Sequence, residues 1–133
     1  MQRVFLDANI IFSAAYREQA GLLRLWRLAG VELMTSDYAA QEAAANLTEP
    51  AQRSRLAKLL KTLAIVPHAR VMPPLPPGIH LPKKDEPILQ AAMAVGAAIL
   101  LTGDMAHFGR YFGKTAGSVR IMPPGDFLRE REQ

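Results

Sequence analysis

No cysteine occurs anywhere in the 133 residues. That excludes a disulfide framework and a thiolate-held metal, and it suits a reducing cytoplasm. Histidine is scarce, at three residues, which argues against a zinc centre. Long hydrophobic runs are missing too: the most apolar segment, 88–101, is short for a bilayer span and is broken by Gln90 and Gly96. In the opening "MQRVFLDAN" an acid arrives too early for the apolar stretch of a leader peptide. The expectation is a soluble, cytoplasmic protein that does not enter a membrane. Acidic residues are the minority charge, 12 Asp and Glu against 16 Lys and Arg. This modest basic excess is compatible with an anionic partner such as nucleic acid. The length is near the commonest domain size and predicts a single domain over 1–133.

What is present alternates. Gln2 to Leu6 reads as a short buried strand, followed by helical stretches at Ile10–Tyr16 and Ala20–Ala29, the second stopped by Gly30. Val31–Thr35 is a second strand. Ser36 or Asp37 then caps an alanine-rich helix, and Pro50 opens another in the first-turn position where proline is tolerated. Ala64–Val66, "AAILLT" and Val119–Met122 read as further strands, "DEPILQAAMAVG" and "PPGDFLRERE" as helices. Strands alternating with helices predict an α/β fold with a mainly parallel sheet. The connector at 67–84 carries five prolines between Pro73 and Pro82, and its composition predicts an ordered, semi-rigid arm.

In such folds ligands bind beyond the carboxyl ends of the strands, and acids fall there. Asp7 ends the first strand, between the apolar runs "VFL" and "IIF", and Asp104 follows "ILLTG". Asp85 opens the helix leading into the fourth strand, and Glu42 lies within the alanine-rich helix. Taken singly, Asp7, Asp85 and Asp104 each read as a helix cap, and Glu42 as a solvated helix residue. Taken together, converging carboxylates repel one another unless a cation neutralises them. A hard divalent ion with oxygen ligands, Mg²⁺ or Mn²⁺, does this. It can also activate water and offset charge on a phosphodiester.

"FLDANIIFSA", Glu42 after Ser36, "KDEPILQAA" and "LLTGDMAHF" resemble, in order and spacing, the motifs of PIN-domain proteins, over essentially the whole chain. These are small metal-dependent ribonucleases whose single-domain bacterial forms include the VapC-like toxins of toxin–antitoxin pairs. The resemblance implies a three-layer α/β/α sandwich with a five-stranded, mainly parallel sheet of order 3-2-1-4-5. It implies Asp7, Glu42, Asp85 and Asp104 as catalytic acids, with Asp7, Asp85 and Asp104 holding the metal. Asn9 would hold Asp7 or the metal-bound water through its amide, and Thr102 would support Asp104 from behind through its hydroxyl. It further implies an RNA substrate, a protein antitoxin and a homodimer, with the apolar surface around Leu22 to Leu28 serving either interface. In one respect the chain departs: many members carry another acid two residues after the position of Asp104, where Ala106 stands, with His107 next, a residue that could bind the scissile phosphate or replace a ligand but equally reads as structural or solvent-facing.

Lys83 and Lys84 before Asp85, together with His107 and Arg110, are candidate RNA contacts. Each also reads as an ordinary surface residue. Arg53, Arg55, Lys58 and Lys61 read as a solvated helix face, Phe108, Tyr111 and Phe112 as packing, and Asp126 as the cap of the last helix. Two functions compete. One is metal-dependent hydrolysis of RNA. The other is a catalytically weak or silent RNA-binding or protein-interaction module on the same fold, which Ala106 favours. A phosphotransfer receiver needs an acidic pair at the first strand and a DxD phosphatase needs an acid at position 9, where Asn stands, so both are rejected.

Overall fold

The computed structural model describes residues 1–67 and 72–132. Three successive apolar residues, Val4, Phe5 and Leu6, are fully buried in β1 (Gln2–Leu6), as a strand covered on both faces requires. Then follow α1 (Ala8–Tyr16), a 3₁₀ helix (Gly21–Arg27), β2 (Val31–Ser36), α2 (Asp37–Ala45), α3 (Pro50–Leu60) and β3 (Ala64–Val66). The second half supplies α4 (Glu86–Ala94), β4 (Ile99–Leu101), α5 (Met105–Phe108), a short 3₁₀ turn (Gly109–Tyr111), β5 (Thr115–Ala116), β6 (Val119–Met122) and α6 (Pro124–Glu132).

The six strands are ordered β3-β2-β1-β4-β6-β5. All pairings are parallel except β5 with β6. The parallel strands follow the expected order, so the α/β fold holds, but the count of five is corrected to six. The extra strand is only two residues long, and it turns back on β6 through Gly117, at φ +60°. A glycine tolerates that conformation without steric cost, and two residues are too few for a period to show.

Alternate side chains of β1 point to opposite cores. Val4 and Leu6 join Ile10, Ile11, Leu56, Phe127 and Leu128, from α1, α3 and α6. Phe5 joins Ile88, Leu89, Leu100 and Phe108, under α4 and α5. The result is three layers. Helix starts follow the local chemistry: Ser36 Oγ accepts from Ala39 N at 3.1 Å, and Glu49 and Gln52 form a capping box ahead of Pro50.

Three local expectations change. The 20–29 segment forms a 3₁₀ helix over Gly21–Arg27, with Leu22, Leu25, Trp26 and the C-cap Leu28 turned to the core. Asp126 lies inside the first turn of α6 and pairs with Arg129, so it is no cap. Arg53 and Arg55 are not simply solvated. Arg53 Nε donates to Leu47 O at 2.9 Å, while Arg55 donates to Ala15 O and Tyr16 O at 2.9 and 2.8 Å, closing the carbonyl end of α1. Arg55→Ala is therefore expected to lower stability by about 1–2 kcal/mol, read as a lower urea midpoint at unchanged slope.

In the proline-rich connector, residues 68–71 lie outside the described residues. The part from 72 on is pinned: Gln90 Nε2 donates to Pro73 O at 3.1 Å, and the Tyr111 hydroxyl accepts from His80 N and donates to His80 O. Met72, Leu75, Ile79 and Leu81 pack against the α4-side core. That anchoring fixes the approach of the chain to Lys84 and Asp85.

Candidate metal centre

The sheet order reverses direction at β1, which pairs with β2 on one side and β4 on the other, so a crevice opens beyond the carboxyl ends of β1 and β4. The Asp7 amide continues the ladder to Leu101 O at 3.0 Å, and the Thr102 amide to Met122 O at 3.1 Å. Those bonds place Asp7 and Thr102 side by side although 95 residues separate them. A cleft of about 380 Å³ opens here, lined by Asp7, Asn9, Glu42, Lys84, Asp85 and Asp104, among others. All four sequence-predicted acids line it.

Asp7 is 5% exposed. Its Oδ2 accepts from Thr102 Oγ1 at 2.8 Å and from Asn9 Nδ2 at 3.1 Å, and its Oδ1 from the Ala8 amide at 2.6 Å. Asn9 is aimed by the Gly103 amide, which donates to its Oδ1 at 2.8 Å. Thr102 thus supports Asp7 and not the Asp104 carboxylate; toward Asp104 its Oγ1 only accepts, from the backbone amide at 3.1 Å. The correction follows from register: Thr102 ends β4 directly beside the end of β1, while Asp104 has already turned into α5. Burial pushes the Asp7 carboxyl up to about 6, against these hydrogen bonds and with a further upward push from Asp85. Burial also raises Glu42, with Asp7 and Asp85 adding to it, and it raises Asp85, with Asp104 adding and His107 opposing.

Asp85 is not the helix cap its position suggests. Its backbone is already helical, at ψ −18°, and its side chain makes no capping bond. Its Oδ2 is buried without a hydrogen-bond partner. Asp104 does cap, accepting from the His107 amide at 3.1 Å, and its other oxygen lies 2.8 Å from His107 Nδ1. That nitrogen is also 3.1 Å from Asp85 Oδ2, outside hydrogen-bonding geometry. Among the described residues, Asp85, Asp104 and His107 form the group whose donor atoms all lie within 4.8 Å of one another. Asp7 lines the same cleft outside that group.

Of the basic candidates, Lys84 reaches the cleft wall and draws the Asp85 and Glu42 carboxyls downward. Lys83 and Arg110 are exposed and not among the cleft's lining residues; Arg110 lies over the Tyr111 ring at 5.4 Å. Two residues passed over in the sequence belong here. Tyr38 donates to Lys84 O, and its hydroxyl is raised by burial and then by Glu42, Asp85 and Asp7; Asn46 lines the cleft. Tyr38 in α2 and Asn46, its C-cap, each stand four residues from Glu42, the spacing that shares a helix face, and that periodicity was the available signal.

The residues fit a divalent cation. A buried carboxylate oxygen without a donor faces a set of oxygen atoms and one imidazole nitrogen, the kind of environment a hard or borderline ion satisfies.

A three-layer α/β fold with an acid-lined cleft at the sheet's switch point defines the class. A family model for the PIN domain matches residues 3–106, and the chain belongs to that family. Comparison with curated proteins gives no match. Among solved structures, VapBC2 from Rickettsia felis bound to a DNA fragment from its promoter is similar at 14% identity and TM-score 0.62, covering 92% of this chain and 98% of that one. FitAB bound to an IR36 DNA fragment gives 18% and 0.58, with 91% and 94% covered. FitAcB from Neisseria gonorrhoeae gives 18% and 0.56, with 92% and 98% covered. At these identities the likeness is one of fold. Among the described residues no helix is long and apolar enough to cross a membrane.

Proposed function

We propose that this chain is a single-domain, cytoplasmic, Mg²⁺- or Mn²⁺-dependent endoribonuclease, the toxin of a toxin–antitoxin pair. The observation that carries the reading is the buried Asp7, raised by its surroundings, in one cleft with Glu42, Asp104 and the Asp85 oxygen that accepts no hydrogen bond. Asp7, Asp85 and Asp104 would hold the cation, which when bound supplies Lewis acidity toward the scissile phosphate and a lowered pKa for water. Glu42, half-buried and raised, would accept the proton of the attacking water. Thr102 and Asn9 keep the Asp7 carboxylate oriented, and Lys84 meets phosphate charge at the cleft wall. Family membership supports nuclease chemistry. The named assemblies of the structural neighbours support a protein antitoxin, and a homodimer is part of the same reading.

The test is cleavage of a mixed panel of structured RNAs by purified, inhibitor-free protein. Cutting is expected with Mn²⁺ or Mg²⁺ and lost with EDTA. Folded protein that cuts with neither ion would point to the silent binding module and to Ala106.

A further inference from the structure

Resting on that metal-dependent reading, we propose that His107 gives its Nδ1 as a direct ligand to the cation, so that the site selects Mn²⁺ or Co²⁺ over Mg²⁺. His107 Nδ1 stands 2.8 Å from Asp104 Oδ2 and 3.1 Å from Asp85 Oδ2. Neighbouring ligands on a six-coordinate ion with bonds of about 2.0–2.1 Å lie about 3 Å apart, the spacing found from His107 Nδ1 to each carboxylate oxygen, while all three donor atoms lie within 4.8 Å of one another. The backbone that carries the ring is held at two points. Its own amide donates to Asp104 Oδ1, and the next residue, Phe108, is fully buried and fastens α5 to the core.

Each neutral tautomer of the ring leaves something unsatisfied. With its hydrogen on Nδ1, the ring serves Asp104, and Asp85 Oδ2 stays buried without a donor. With its hydrogen on Nε2, the Nδ1 lone pair faces two carboxylate oxygens. That is repulsive unless a cation lies between them. A shared cation satisfies all three donors at once. Because Mg²⁺ strongly prefers oxygen while imidazole suits transition ions, one nitrogen in an otherwise oxygen set is a selectivity element.

The experiment is calorimetric titration of the full chain, without RNA, with Mg²⁺, Mn²⁺ and Co²⁺ at pH 7.5. It compares wild type, His107→Ala and His107→Asp, each checked for folding by circular dichroism. In His107→Ala the Mn²⁺ and Co²⁺ affinities are expected to fall about tenfold or more, with Mg²⁺ affinity nearly unchanged. His107→Asp is expected to keep Mg²⁺ binding without the preference, and to shift the Co²⁺ visible bands. Equal losses for all three ions, or none, would overturn the assignment and make His107 a hydrogen-bonding neighbour only. Wild type that binds none of the ions would overturn this proposal and the metal-dependent reading together; binding that ignores His107 overturns this proposal alone.

Discussion

Replacing Asp7 with asparagine is expected to abolish RNA cleavage and, at the same time, to make the metal-free protein more stable at pH 7. The activity loss should reach about a thousandfold or more in kcat/KM, the scale on which removal of a central electrostatic group acts. The stability gain follows from burial. Above pH 6 the folded chain keeps an ionised carboxylate in a place that raises its pKa from 3.8 to about 6, a cost of about 3 kcal/mol. Asparagine removes that charge but loses one of the acceptor contacts to Ala8, Thr102 or Asn9, which offsets about 1 kcal/mol. A net gain of about 1–2 kcal/mol, or roughly 3–8 °C in Tm, is the expected result of scanning calorimetry in EDTA. A variant that loses both stability and cleavage would mean that Asp7 is a structural residue, and the reading would fail.

The second large effect is one of pH. Asp7 has a folded pKa above its unfolded one, so between about pH 4 and pH 6 the folded state binds more protons than the unfolded state. Stability is then highest on the acid side of this window and falls as pH rises through it. Asp7 alone contributes about 3 kcal/mol across the window, and Glu42 and Asp85, also raised, act in the same direction. In EDTA, urea midpoints should therefore drop from pH 4.5 to pH 7. Saturating Mn²⁺ should flatten or reverse the slope, because an ion bound only by the folded carboxylates stabilises their ionised form. A metal-free protein whose stability climbs steadily over the same range would contradict the burial argument.

How legible this was depends on scale. The order of strands and helices, and the position of Asp7 between two apolar runs, were readable because burial on both faces leaves an unbroken hydrophobic signature. What escaped reading depended on contacts between distant residues. Taken alone Asp85 reads as a helix cap, and it joins the acid set through the resemblance; its helical ψ, its lack of a capping bond and its place in the cleft wall come from packing. Thr102 was placed behind the wrong aspartate because sequence proximity favours Asp104, while strand register brings Asp7 to it. Arg55 read as solvated because its partners, Ala15 O and Tyr16 O, lie 40 and 39 residues away. The sequence leaves His107 open between a phosphate contact and a replacement ligand, and its place between two carboxylates emerges only once α4 and α5 are set side by side.

The central position of β1 has a consequence for the order of events on the ribosome. Its first partner, β2, emerges soon after it, but the second, β4, pairs Val4 with Ile99 and waits for most of the chain. Asp7 and Glu42 are translated early, and they gain the company of Asp85, Asp104 and His107 only when that late strand slots in. Closing so long a loop is slow compared with forming local helices. A nascent chain bearing β1 to β3 thus lacks the assembled cleft, which is complete only once synthesis has passed α5.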